Sequence, residues 1–183
     1  METATATTTK WNLDPAHSQI GFKVKHMMIT NVSGSFEKFD VQVETENKDF
    51  ATAKIQFTAD IDSITTANKD RDNHLKSGDF FDAATYPQLK FTSTKVEKKD
   101  DESFVLSGNL TIRDVTKAVK LDVEFGGIGK DPWGNEKAGF TITGKINRTD
   151  FKLNWNAALE TGGVLVGEEV KIQAELQLIK QAS

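Results

Sequence analysis

The sequence predicts an all-β fold: an extended eight-stranded antiparallel barrel with a short helical insert, about residues 65-87, near one end. Three observations carry the prediction. Eight segments alternate apolar and polar residues with period two, so each has one dry and one wet face. Short charged or Gly/Pro-bearing turns separate most of them. The alternation breaks in one place that looks helical, TTANKDRDNHLKSGDFFDAATYP.

In chain order, Ile20, Phe22, Val24, His26 and Met28 share the apolar face of the first strand. Phe39, Val41 and Val43 mark the second, and Ala53, Ile55, Phe57, Ala59 and Ile61 the third. In the insert, Asn68 to Lys76 surround a single Leu75 with polar groups, so no apolar stripe can hold this helix. Phe80, Phe81 and Tyr86 then supply its anchor. Strands resume with Leu89, Phe91 and Ser93, followed by Phe104, Leu106, Gly108, Leu110 and Ile112. Val119, Leu121, Val123 and Phe125 come next, then Ala138, Phe140, Ile142, Gly144 and Ile146. Val170, Ile172, Ala174, Leu176 and Leu178 end the series. Such strands build a closed barrel or a two-layer sandwich; closure removes exposed edges and is favoured. Asn147 to Gly167 is a second irregular stretch, too long for a hairpin loop.

Residues 1–10 read as a polar, disordered leader and 11–183 as a single domain. With 183 residues, 37% hydrophobic and 27% charged, the chain is long enough to bury a core without staples. It has no cysteine, which excludes disulfides and thiolate metal sites. The net charge of −4 argues against nucleic acid or an anionic membrane as the main partner. The opening residues lack the basic start and apolar run of a secretory signal, and a cytoplasmic location is expected.

Candidate chemistry is sparse. His17, His26 and His74 have spacings that match no metal motif, and no metal is expected. Asp14, His17 and Ser18 resemble triad material, but a near-sequential trio need not converge, and an Asp-Pro turn with Ser18 opening the first strand explains them better. The charges around Arg71 form either a solvated helix face or, with His74, a ring at a cavity mouth. Arg suits a phosphate there because its planar fork donates paired hydrogen bonds.

The motifs Asp14-Pro-Ala-His17-Ser18, Phe22-Lys-Val-Lys-His26 and Val32-Ser-Gly34-Ser-Phe36 resemble the start of the YceI-like family. The likeness continues through Arg71-Asp72-Asn-His74-Leu75, Asp79-Phe80-Phe81-Asp82, Tyr86-Pro87 and Gly108-Asn-Leu110-Thr111-Ile112. It closes with Asn147-Arg148-Thr-Asp150-Phe151 and Gly167-Glu-Glu-Val170. The resemblance implies a lipocalin-like barrel with a helical lid that binds a polyisoprenoid, isoprenoid quinone or comparable long-chain lipid, without enzymatic activity. Two positions depart from the family pattern: Asp114 and Lys152 stand where glycine is usual.

The expected tail site comprises Phe22, Val24, Phe57, Phe91, Leu106, Leu110, Val123, Phe140 and Ile172, with Leu75 and Phe80 from the lid. The head would meet Arg71 and His74, with His17, His26 and Arg148 as further candidates. The partner is thus an isoprenoid or other long-chain lipid; no cofactor and no nucleic acid are expected. Transient membrane contact through Met27, Met28 and Ile29 and a homodimer are the other partner expectations. Two rival readings are an interaction or stress-response protein with a packed core and, more remotely, a small-molecule enzyme using its histidines.

Overall fold

The computed structural model describes residues 7–160 and 163–181. Among the described residues, eleven strands form one antiparallel sheet: β1 (Thr8–Leu13), β2 (Gln19–His26), β3 (Thr30–Phe36), β4 (Phe39–Glu46), β5 (Asp49–Asp60), β6 (Ile64–Thr65), β7 (Gln88–Lys98), β8 (Ser103–Ile112), β9 (Val115–Lys130), β10 (Glu136–Asn147) and β11 (Val166–Lys180). The ring β1-β4-β5-β7-β8-β9-β10-β11 closes where Leu13 pairs Leu178, giving an eight-stranded barrel.

Three staves of this barrel are bent. β2 continues β1 beyond the 3-10 turn Pro15–His17, β4 continues β3, and β6 continues β5 beyond Ile61–Ser63. Pro15 has no N–H for the ladder, so the first stave must break there. The Asp14 carboxylate accepts from Ala16 N–H at 3.2 Å, and the Asp14 N–H returns the chain to the Gln177 carbonyl at 2.9 Å. The eight alternating segments correspond to the eight staves, but β1 and β3 are halves that the alternation does not reveal. β1 starts at Thr8, inside the stretch expected to be a leader; residues 1–6 of that stretch lie outside the described residues. β3 reads as a loop because Thr-Asn-Val-Ser-Gly-Ser-Phe offers few apolar residues. The first segment ends at His26 rather than Met28, which sits in the following turn, half exposed.

The helical insert contains one α-helix, α1 (Lys69–Lys76), with no fully buried residue. Asn68 caps it by accepting the Arg71 N–H at 3.0 Å. At its other end Phe81 and Ala83 donate backbone N–H groups to the Leu75 and Lys76 carbonyls, which would otherwise be orphaned. The helix is therefore held by capping and by the chain after it, where Phe80 is buried and Phe81 meets Phe36 edge-on at 6.3 Å.

The barrel interior is unequal along its length. At the end formed by the turns after β4 and β9, Trp11, Phe50, Phe125 and Phe140 pack into an aromatic plug. Phe50 lies 5.0 Å from Trp11 and 4.8 Å from Phe140, and Phe125 stacks on Phe140 at 5.2 Å. Each such pair adds about 0.5–1.5 kcal/mol beyond its buried area. Trp11 is fully buried and its indole N–H donates to Thr45 Oγ1 at 3.1 Å, so even the plug's polar atom is satisfied. The other half, under α1, is hollow.

Candidate functional site

The hollow half holds a cavity of about 520 Å³, within the usual range for small-molecule sites. Its walls are almost wholly apolar: Phe57 and Phe91 from β5 and β7, Leu106 and Leu110 from β8, Leu121 from β9, Ile142 from β10 and Ile172 from β11. Phe22 and Val24 on β2 complete the ring, while Leu75, Phe80 and Phe81 form the roof. Polar side chains gather where α1 faces the end of β2, at Lys25, His26, Thr66, Asp70, Arg71 and His74, and Arg148 adds one more from the stretch after β10.

Glycines shape this room, Gly34, Gly108 and Gly144 among them. Gly34 stands directly opposite Phe22 in the β2–β3 register, and a Cβ there would lie 2.3 Å from the tip of the Phe22 ring. A Cβ on Gly144 would lie 2.4 Å from Leu121 Cδ2. Both large side chains therefore lie flat against a neighbouring strand instead of reaching across the lumen. An eight-stranded barrel is otherwise just wide enough for its own side chains to fill.

The mouth is wired by a short polar chain. Arg71 donates from Nε to Thr66 Oγ1 and from Nη2 to the Thr66 carbonyl, both at 2.8 Å. Asp72 Oδ1 accepts the Thr66 N–H at 2.7 Å and its hydroxyl as well. His74 Nε2 lies 2.9 Å from Asp79 Oδ2, and its ring meets Trp155 edge-on at 4.6 Å. The lid thus touches the irregular stretch after β10, which contributes Leu153 and Trp155 to the cavity.

Arg148 organises that stretch. It is buried, with only 3% of its surface exposed, and donates to four backbone carbonyls: Gly167 at 2.8 Å, Leu153, Trp155 at 3.0 Å and Val166 at 3.2 Å. Burial pulls its pKa below the ordinary guanidinium range, and Glu168 opposes that shift. An Arg can satisfy so many fixed acceptors because its fork carries five donors. The two departures from the family pattern meet nearby: Lys152, at φ 63°, places its ammonium 3.3 Å from Asp114.

The structure gathers most of the expected residues around the cavity: Phe22, Val24, His26, Phe57, Arg71, His74, Leu75, Phe80, Phe91, Leu106, Leu110, Arg148 and Ile172 all line it. Three do not, and the sequence reading is corrected there. Val123 and Phe140 point inward as expected but belong to the packed core beyond the cavity, with Phe140 inside the plug. Alternation reports which face is dry, not how deep along the barrel a residue lies. His17 sits outside the cavity, its Nδ1 2.9 Å from Asp14 in the 3-10 turn. Leu153 and Trp155 were not anticipated because they follow no strand; the only signal was the length of their loop.

Comparison with known proteins agrees with this architecture. A family model described as the YceI-like domain matches residues 11–178. The UPF0312 protein of Staphylococcus aureus strain MSSA476 is 45% identical over 170 residues, covering 92% of this chain and 96% of the relative. The crystal structure of Campylobacter jejuni YCEI protein superposes with a TM-score of 0.75 at 36% identity, covering all of both chains (100% and 100%). Burkholderia cenocepacia BcnA gives 0.78 at 27% identity over 90% of this chain and 98% of that one. A polyisoprenoid-binding domain from Saccharophagus degradans shares the fold at 15% identity, with a TM-score of 0.69 over 93% and 98% of the two chains. Barrel, lid and matched sequence together show that this chain belongs to the YceI-like family.

Proposed function

We propose that this protein carries or sequesters a long-chain apolar lipid of the isoprenoid class, its tail in the cavity and its head at the mouth beneath α1. The observation that carries this reading is the cavity itself, about 520 Å³ of space bounded by apolar side chains and kept open by Gly34 and Gly144. A packed-core interaction protein would have no reason to hold Phe22 and Leu121 flat. The like-folded polyisoprenoid-binding domain supports the ligand class. At the mouth, Arg71 has one Nη free of the bonds to Thr66, suited to a phosphate or hydroxyl head. For a ligand of about thirty heavy atoms, ~0.3 kcal/mol per atom gives about −9 kcal/mol, a submicromolar Kd. Thr66, Asp72 and His74 at the mouth are committed to neighbouring protein groups, which favours holding a ligand over transforming it.

The test is solvent extraction of the purified protein, with native mass before and after and lipid identification by mass spectrometry. One long-chain lipid per barrel is expected. Gly34→Ala and Gly144→Ala should swing Phe22 and Leu121 into the lumen and select thinner or shorter chains. No released lipid, together with no uptake of added isoprenoid alcohol, would return the protein to the packed-core reading.

A further inference from the structure

The β2–β3 turn, beside the cavity mouth, combines two features that work against stability. Met27, Met28 and Ile29 are exposed by 42%, 50% and 76%. Both methionines have positive φ, 53° and 61°, in a turn closed by the Ile29 N–H on the His26 carbonyl at 3.2 Å. Asn-Gly would fill such a turn without strain; side chains like Met resist the left-handed region. The position thus holds large apolar groups in water at a conformational cost.

The adjoining wall repeats the pattern with charge. Lys23 on β2 is directly opposite Lys171 on β11, and Lys171 is opposite Lys145 on β10. All three are exposed, and none forms an ion pair among the described residues, although like charges placed opposite one another destabilise a sheet. Lys25 extends the row toward the tip. Glu168 and Glu169 stand at the β11 bulge beside it, so the apolar tip supplies the insertion and the lysine row the long-range attraction. The net charge of −4 conceals this local arrangement.

We propose that this end of the barrel docks on an anionic phospholipid bilayer, with Met27, Met28 and Ile29 entering the headgroup region and Lys23, Lys25, Lys145 and Lys171 facing lipid phosphates. A bilayer relieves both penalties at once, because it buries the apolar tip and neutralises the row. The tip is also joined to the cavity rim. His26, next in the chain, lines the mouth, and the Met27 N–H donates to the carbonyl of Leu165, another lining residue, at 2.7 Å. Docking would set the mouth against the membrane. Only this last step, exchange of lipid, rests on the carrier reading.

The experiment is co-sedimentation with vesicles of phosphatidylcholine alone or mixed with phosphatidylglycerol. The variants are Met27→Asn with Met28→Gly, Lys145→Gln with Lys171→Gln, and Trp133→Ala, which alters a still more exposed apolar residue at the plugged end. The full chain should bind the mixed vesicles, less so in high salt. M27N/M28G should bind at least about tenfold more weakly while melting at a higher temperature, because that turn suits Asn-Gly. The lysine pair should weaken binding only to the anionic vesicles, and W133A should bind normally. Undiminished binding by M27N/M28G, or no vesicle binding by the unaltered chain, would overturn the proposal. So would a concentration-dependent dimer, seen without vesicles and lost in M27N/M28G, which would assign the tip to a second copy. Bound lipid recovered unchanged from M27N/M28G would leave the carrier reading intact whatever the vesicles show.

Discussion

Arg148 is the residue on which the site most depends, although it need never touch a ligand. A buried guanidinium usually calls for a carboxylate; here four carbonyls take that place, two from the stretch after β10 and two from the start of β11. Lysine has one ammonium to spread over acceptors arranged for a planar fork. Arg148→Lys should therefore cost about 2–4 kcal/mol, read as a lower urea midpoint with an unchanged slope. It should also loosen Leu153 and Trp155 on the cavity wall. At this scale the sequence is informative about chemistry but not about partners. Arg148 was anticipated as a site residue, yet its role as a clasp depends on Gly167, nineteen positions away along the chain. His17 makes the opposite point: a strong local signal resolved into a local contact with Asp14.

Among the elements, α1 is the one whose stability is separable from the barrel. It buries no residue fully and is tied down by Asn68, by Thr66 with Asp72 and Arg71, and by the aromatic chain that follows. Local opening is the expected motion of an element with so little apolar attachment. Asp72→Asn keeps the size of the side chain but removes its charge and lessens its capacity to accept the two Thr66 donors. Hydrogen exchange across residues 66–82 should accelerate, and release of bound lipid with it, while global unfolding shifts little. Unchanged exchange would mean that Phe80 and Phe81 alone secure the lid. The absence of an apolar stripe between Asn68 and Lys76 made this helix recognisable as a lid from sequence. β1 and β3 were not recognisable because their partners, β4 and β2, supply the pairing that their own composition does not advertise.

For the whole molecule, charge is distributed so that acid should loosen the plugged end. Asp14 is held below its ordinary 3.8 chiefly by the hydrogen bond from Lys137, against the opposing effect of burial and with help from His17. Glu136, clamped by Lys48 and Lys180, is lowered from 4.5 to about 2. A carboxyl depressed in the folded state stabilises it fully above the ordinary pKa and loses that effect as pH falls through the depressed one. Stability from this end should thus decline between about pH 4.5 and about pH 2. Asp14→Asn with Glu136→Gln should lower the urea midpoint at neutral pH and flatten that acid decline, which denaturation at neutral and acid pH would reveal.

The sequence by itself determined the fold class, the eight staves, the lid and the dry face of each alternating segment. Those properties follow from period-two alternation and its single interruption, which are local. Only the tertiary structure decided which dry residues face empty space and which face one another. Phe140 and Phe91 are indistinguishable by pattern, yet one stacks in the plug with Phe125 and the other lines the cavity. Depth along the barrel is set by register between strands and by the bends at Pro15 and Ile61–Ser63. Space is set by what a neighbouring strand lacks, as Gly34 lacks a side chain beneath Phe22. A cavity is a relation between strands far apart in sequence, so no single strand encodes it.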